Sequence, residues 1–207
     1  MLLAAFRDGA RVPVLAAWST TDKGGGITLS GSNLIATCNT TTTYPSAAAV
    51  RSTLFTSDDH SQIARFYWEY FIADTGTYCT VGVASGNANL ANHLGSQSEG
   101  WGLRNNGQRW NNDANTPGVG FDINDYVGVA LDKIAGALWF SVNGTWVTGD
   151  PAAGTDPAFQ GDGLKLASVR PVISLNVLGD QVQANFGQAA FEYPVPAGFR
   201  PGFGLGV

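Results

Sequence analysis

Two histidines, a scatter of carboxylates and six tryptophans are the residues of this 207-residue chain that could do chemistry or hold a ligand. A hydrolase needs a nucleophile, a base and a group that orients the base. His60 follows Asp58-Asp59 in a polar run and His93 lies in a Gly/Asn-rich stretch, so both are expected at the surface rather than as general bases. Serines are plentiful enough for a Ser/His/Asp set, yet no G-x-S-x-G elbow is present. Paired carboxylates for glycoside hydrolysis would come from Asp58, Asp59, Glu69, Glu99, Asp122 and Asp125. Glu69 sits inside an aromatic run, ARFYWEYFIA, where an ion pair with Arg51 or Arg65 is the simpler account. Asp122-Ile123-Asn124 opens like a calcium loop, but Val127 in the sixth position and Lys133 in the twelfth break that pattern. No catalytic residue, metal site or cofactor is therefore expected.

Binding is better supported than catalysis. Trp101, Trp110 and Trp146 each lie beside a polar hairpin turn, whereas Trp18, Trp68 and Trp139 read as core. Trp101 is assigned to the core; Trp110 and Trp146 could fill it equally well. An aromatic face with amide and guanidinium donors suits a peptide loop or a sugar ring. The expected partner-binding residues are thus His93, Arg104, Asn105, Asn106, Arg109, Trp110, Asn111 and Trp146.

These residues need strands to position them. Between Tyr126 and Trp146, Val127, Val129 and Leu131 alternate with smaller residues, and Leu138, Phe140 and Val142 do the same. Asn143-Gly144 is a strong hairpin signal, so the spacing predicts a meander over 126–132, 137–142 and 145–148. Further strands are expected at 27–30, 33–38, 50–56, 64–73 and 78–84, with a hairpin at 101–110 around Asn105-Asn106-Gly107. Gly82 within its strand suggests a bulge or a close backbone approach. Residues 20–26 and 111–120 read as turn and loop, and 170–177 with 181–186 as a last hairpin around Gly179-Asp180. About a dozen short strands without helical periodicity point to an all-β, antiparallel two-sheet sandwich.

Composition narrows the partners. Only 13% of the residues are charged, against about a quarter in an ordinary soluble chain, so Ser, Thr, Asn and Gly must wet the surface. The net charge is −5 and the eleven Lys and Arg form no basic run, which leaves nucleic acid an unlikely partner. No window is long and apolar enough to span a membrane, and Arg7, Asp8 and Arg11 interrupt the apolar N-terminus before a signal-peptide core forms. Cys38 and Cys79 stand far apart with no CxxC context, and two free buried thiols are expected. The organisation expected is an arm over 1–17, whose Leu2, Leu3 and Phe6 would anchor it to a neighbour, a domain over 18–201, and a tail over 202–207.

The order of the blocks resembles a SPRY domain of the bacterial and phage type. Trp18…Asp22-Lys23…Ile27-Thr28-Leu29-Ser30, Phe66-Tyr67-Trp68-Glu69-Tyr70, Val81-Gly82-Val83-Ala84, Trp101-Gly102, Tyr126–Asp132, Trp139-Phe140…Asn143-Gly144 and Asn185-Phe186-Gly187…Phe199 carry the likeness. The resemblance implies a jelly-roll sandwich that binds a protein partner through end loops and performs no reaction. With the sparsely charged composition and the apolar arm, it implies a structural protein of a bacteriophage virion, at the tail or capsid surface and within an oligomeric assembly. The alternatives are a module that recognises host-surface glycan and, further off, a glycan-degrading enzyme. The segment 149–163 is longer than the family pattern suggests, so a function peculiar to this chain could reside there.

Overall fold

The computed structural model describes residues 14–43, 46–54, 56 and 64–205. Leu2, Leu3, Phe6, Asp58, Asp59 and His60 lie outside the described residues. The regular secondary structure of the described residues is almost entirely strand, in two mainly antiparallel sheets that face each other across one core. Among these residues no helix is long and apolar enough to cross a membrane.

The first sheet is built on β6 (Arg65–Asp74), the long aromatic strand. Its period of two sends Phe66, Trp68, Tyr70 and Ile72 into the core and leaves Tyr67, Glu69 and Phe71 on the outer face. β11 (Tyr126–Asp132) pairs along one edge of β6, with Val129 opposite Trp68, and β12 (Ala137–Val142) pairs β11, with Phe140 opposite Val129. β13 (Thr145–Trp146) completes the expected meander, β14 (Phe159–Gln160) pairs the start of β12, and β17 (Arg200–Pro201) runs parallel to the start of β6. Across the other edge of β6 lie β16 (Gln181–Asn185), β4 (Ile35–Cys38) and β3 (Ile27–Ser30). Each large apolar side chain buried in this way contributes roughly 1.5–3 kcal/mol.

The second sheet runs in the order β10 (Ala114–Thr116), β9 (Arg109–Asn111), β8 (Gly100–Arg104), β7 (Thr80–Ser85), β15 (Val169–Leu175), β5 (Ala48–Ser52) and β2 (Trp18–Lys23). Gly82 marks a close approach and not a bulge: it pairs in regular register with Gly102, and a Cβ there would stand 2.0 Å from the Trp101 carbonyl oxygen. Cys38 and Cys79 are both buried and free.

The structure corrects several of the expected elements. β15 and β16 are not a hairpin but lie in opposite sheets. The Asp180 carboxylate accepts the N–H groups of Gly76, Asn176 and Val177, and so fixes the turn that carries the chain from one sheet to the other. Residues 20–23 are strand rather than turn, with the register of β2 shifting where Ser19 Oγ accepts the Asp22 N–H. The loop read over 111–120 contains β10, because Asn112 and Asp113 both take positive φ (53° and 57°) and close a tight hairpin without the Asn-Gly signature. The strand read at 50–56 lies at Ala48–Ser52.

Both chain ends of the domain meet. β1 (Val14–Leu15), read as part of the arm, pairs antiparallel with β18 (Gly204–Leu205), read as tail. Ala16 and Phe203 are buried in the core, the Phe203 ring 5.3 Å from that of Trp68. Two irregular segments then cover the outer faces. Residues 86–97 lie over the second sheet, packing Leu94 on Ala84 and Val172. The C-terminal segment 188–199, here termed the strap, crosses the first, packing Phe191, Val195 and Phe199 about Tyr67 and Trp139.

Candidate functional site

The residues expected to bind a partner divide between two faces. On the outer face of the second sheet, the Arg104 guanidinium lies over the Trp110 ring, 4.2 Å from its centroid, and 5.0 Å from that of Tyr78. His93, expected at the surface, is 2% exposed and meets Trp110 edge-on at 5.2 Å. Its Nδ1 is 3.3 Å from the Leu94 carbonyl and 3.5 Å from Arg104 Nη2, and Nε2 is 3.9 Å from Asp113 Oδ1. Burial, then the Arg104 charge, push the imidazole down to about 4 against a weaker pull from Asp113, so it is neutral at pH 7. Glycines explain this burial: a Cβ on Gly102 would meet Thr80 and Leu94, and one on Gly95 (φ +92°) would stand 2.6 Å from Trp110.

The neighbouring amides also hold the chain to itself. Asn105 Nδ2 donates to the Gly76 carbonyl, Asn111 Nδ2 to those of Ser98 and Gly100, and Arg109 Nη2 to that of Pro117. Asn106 is exposed and pairs with Gln108. The cluster is a scaffold for the loops over this sheet, with Asn106 at its free edge.

Trp146 stands apart, half-exposed on the outer face of the first sheet beside the strap. At the centre of that face Glu69 is 1% exposed, and its partner is not a cation. Arg51 pairs with Asp22 at 2.7 Å and Arg65 with Asp132 at 2.7 Å. Instead Glu69 Oε1 accepts the Tyr67 hydroxyl at 2.8 Å and the Tyr193 N–H at 2.9 Å, while Oε2 accepts the Glu192 N–H at 2.8 Å. A buried carboxylate thus fastens the strap to the sheet through charge-assisted bonds. The strap is pinned again at the Asn143-Gly144 turn, where the Tyr193 ring takes the space of an absent Cβ, 2.4 Å away.

The fastened strap leaves a cavity on either side. One, of about 240 Å³, is walled by Trp146, Tyr193, Pro194 and Pro196, floored by Tyr67 and Ser141, and rimmed by Asp150. The other, of about 320 Å³, lies between Phe71, Tyr126, Gln183 and Asn185, with Glu69 and Glu192 on the strap side. The field on this face is negative: burial and the charges of Glu192 and Glu69 push the Tyr126 phenol up, and burial with the Glu69 hydrogen bond does the same to Tyr67. Aromatic faces and carboxylates can hold a polar or charged side chain. Among the described residues no group of three or more His, Cys, Asp or Glu could hold a metal ion.

Sequence reasoning missed Tyr193 and Asp150 and gave Glu69 the wrong partner. The signal for Glu69 was present: it shares its side of β6 with Tyr67 and Phe71, and no basic residue flanks it within β6 except Arg65 at the strand's start. Nothing local in the sequence announces that Tyr193, more than 120 residues on, returns to it.

Comparison with known proteins agrees with this architecture. The family model of the SPRY domain matches residues 65–189. The crystal structure of the SPRY domain of human HERC1 superposes with a TM-score of 0.63 at 16% identity, over 84% of this chain and 100% of that one. No curated protein matches the chain in sequence.

Proposed function

Because the chain belongs to the SPRY-domain family, whose members bind protein partners, we propose that it is a noncatalytic docking module that takes its partner in the strap groove of the first sheet. The observation that carries this reading is Trp146: a large aromatic left half-exposed between a rim carboxylate and a fastened strap, on a preformed cavity. Asn106, exposed at the edge of the second sheet, is a secondary contact, and the buried His93, Arg104 and Trp110 serve by holding their loops. Arg109, Asn105 and Asn111 contribute through the loop shape they set.

The module works within a bacteriophage virion, as a tail or capsid-surface component. Its sparse charge, its Gly/Thr/Asn-rich surface and its likeness in block order to phage SPRY sequences support this placement. Leu2, Leu3 and Phe6 anchor it to a neighbouring subunit. Since Val14–Leu15 pairs with Gly204–Leu205, the arm available for anchoring is residues 1–13. Deletion of residues 1–13 leaves the melting temperature unchanged and abolishes incorporation into the particle; normal incorporation would remove the anchoring role. A photo-crosslinking residue in place of Trp146 should capture one protein neighbour in the native particle, and an absence of any crosslink there argues against the groove. A second reading, recognition of a host glycan, is favoured by the same half-buried indole, since sugar rings stack on such faces.

A further inference from the structure

We infer that the strap groove receives a basic segment of its partner, an extended peptide presenting Lys or Arg side chains to the two cavities; this rests on the reading of the groove as a docking site. The argument is one of unmatched chemistry. Asp150 and Glu192 are exposed and line the cavities, yet no Lys, Arg or His lines either one. One Asp150 oxygen accepts the Ala152 N–H, which orients the carboxylate without neutralising it. Beneath them the buried Glu69 adds a further negative charge.

The side-chain donors at the cavity floors are engaged within the chain, while those of Gln183, Tyr126, Tyr193 and Trp146 stand at the walls. The Tyr67 hydroxyl donates to Glu69, so its bond with Ser141 has the serine as donor, and both protons point inward. Asn185 Nδ2 donates to the carbonyls of Ala189 and Ala190, and Gln188 Nε2 to that of Ala16. A sugar needs donors and acceptors in balance around its hydroxyls. An ammonium or guanidinium group needs acceptors and aromatic faces, and its charge answers the uncompensated Asp150 and Glu192 carboxylates, which a neutral sugar would leave unmatched. Trp146 and Tyr193 offer the ring faces on one side of the strap, and Phe71 and Tyr126, whose centroids are 5.0 Å apart, on the other.

Display of a random peptide library tests this directly, with selection on the full chain and counter-selection on Trp146→Ala and on Trp146→Phe, each first shown to melt like the parent. Enriched sequences should carry paired Lys or Arg, and their affinity should fall about tenfold in Asp150→Asn and fall again with added salt. Trp146-dependent peptides that are neutral or acidic would overturn the basic-ligand inference and leave the docking groove standing. Glycan-array binding that is lost in Trp146→Ala, with no peptide enriched, overturns it in favour of a sugar. If no ligand of any kind depends on Trp146, both the inference and the groove fail.

Discussion

The main-chain N–H of Tyr193 donates to the side chain of Glu69 across 2.9 Å, joining the strap to the middle of the first sheet over 124 residues of sequence. Tyr67 and the Glu192 N–H complete the same carboxylate. The central strand therefore carries, in one glutamate, the fixing point of the groove. Its burial without a cation is tolerable because three donors reach the two oxygens.

Replacing that glutamate separates charge from shape. In Glu69→Gln an amide NH₂ must face a donor, so at least one of the three bonds is lost and a buried donor is left unpaired. The cost should be about 1–3 kcal/mol in urea unfolding, accompanied by faster proteolysis between residues 188 and 196. An unchanged cleavage rate would mean that Phe191, Val195 and Phe199 hold the strap unaided.

Gly144 serves two purposes that a double-mutant cycle can separate. Its φ of +77° belongs to the tight turn, and its bare Cα admits the Tyr193 ring. Gly144→Ala should cost about 1–2 kcal/mol from the left-handed backbone alone, and more from displacement of the ring. In a Tyr193→Ala background only the backbone cost remains. Equal losses in the two backgrounds would show that the ring does not depend on the missing side chain.

How much of this could be read beforehand follows from the range of the interactions. The meander over 126–146 was legible because alternation and Asn143-Gly144 are local signals, and its registers, Val129 against both Phe140 and Trp68, put the alternating residues together. The Gly179-Asp180 turn misled because a turn signal does not say whether the strands beside it pair; Asp180 instead directs them to opposite sheets. Trp110 and Trp146 looked alike in sequence, each beside a polar turn, but Trp110 is closed over by Gly95 and His93 whereas Trp146 packs edge-on to Tyr67 beside the strap and stays half-buried. The groove itself was not legible: the strap has no periodicity, and its place is set by long-range contacts, the bonds to Glu69, the Tyr193 ring on Gly144 and the packing about Tyr67.

Asp22 accepts from two arginines, bidentate from Arg51 at 2.7 and 2.9 Å and singly from Arg170 at 2.9 Å. Asp22→Ala leaves two largely buried guanidinium groups beside each other. Removing one partner of a fully buried pair costs about 3–5 kcal/mol; Asp22 is a quarter exposed, so a loss of roughly 2–3 kcal/mol is expected in thermal or denaturant unfolding. A loss below about 0.5 kcal/mol would place the pair among ordinary surface bridges.

His93 should make the fold acid-sensitive. Folded, its imidazole takes a proton only near pH 4; unfolded, near 6.5. Between those values the unfolded chain binds the proton and the folded one does not, so stability falls as pH drops, at up to about 1.4 kcal/mol per pH unit. Carboxylates titrate in part of the same range, so the diagnostic is the difference from His93→Gln. The stability gap between parent and variant should narrow from pH 7 to pH 4, and parallel curves would show that the ring is protonated in the folded state.

Lys133 has the opposite end of the pH scale. Its Nζ donates to the carbonyls of Leu164 and Ala167, closing the short helix α1 (Asp162–Leu166) against the β11–β12 turn. Burial pushes its ammonium down to about 8 from an ordinary 10.5. Between these values the folded chain has released the proton and the unfolded chain still holds it, so this residue's contribution to stability rises with pH across that window. Lys133→Met should lower stability at pH 7 by about 1 kcal/mol through the lost hydrogen bonds. The deficit should widen between pH 8 and 10, because only the parent gains there. Urea midpoints of the two proteins at pH 7, 8.5 and 10 measure it, and a constant gap would mean that the ammonium keeps its proton in the fold.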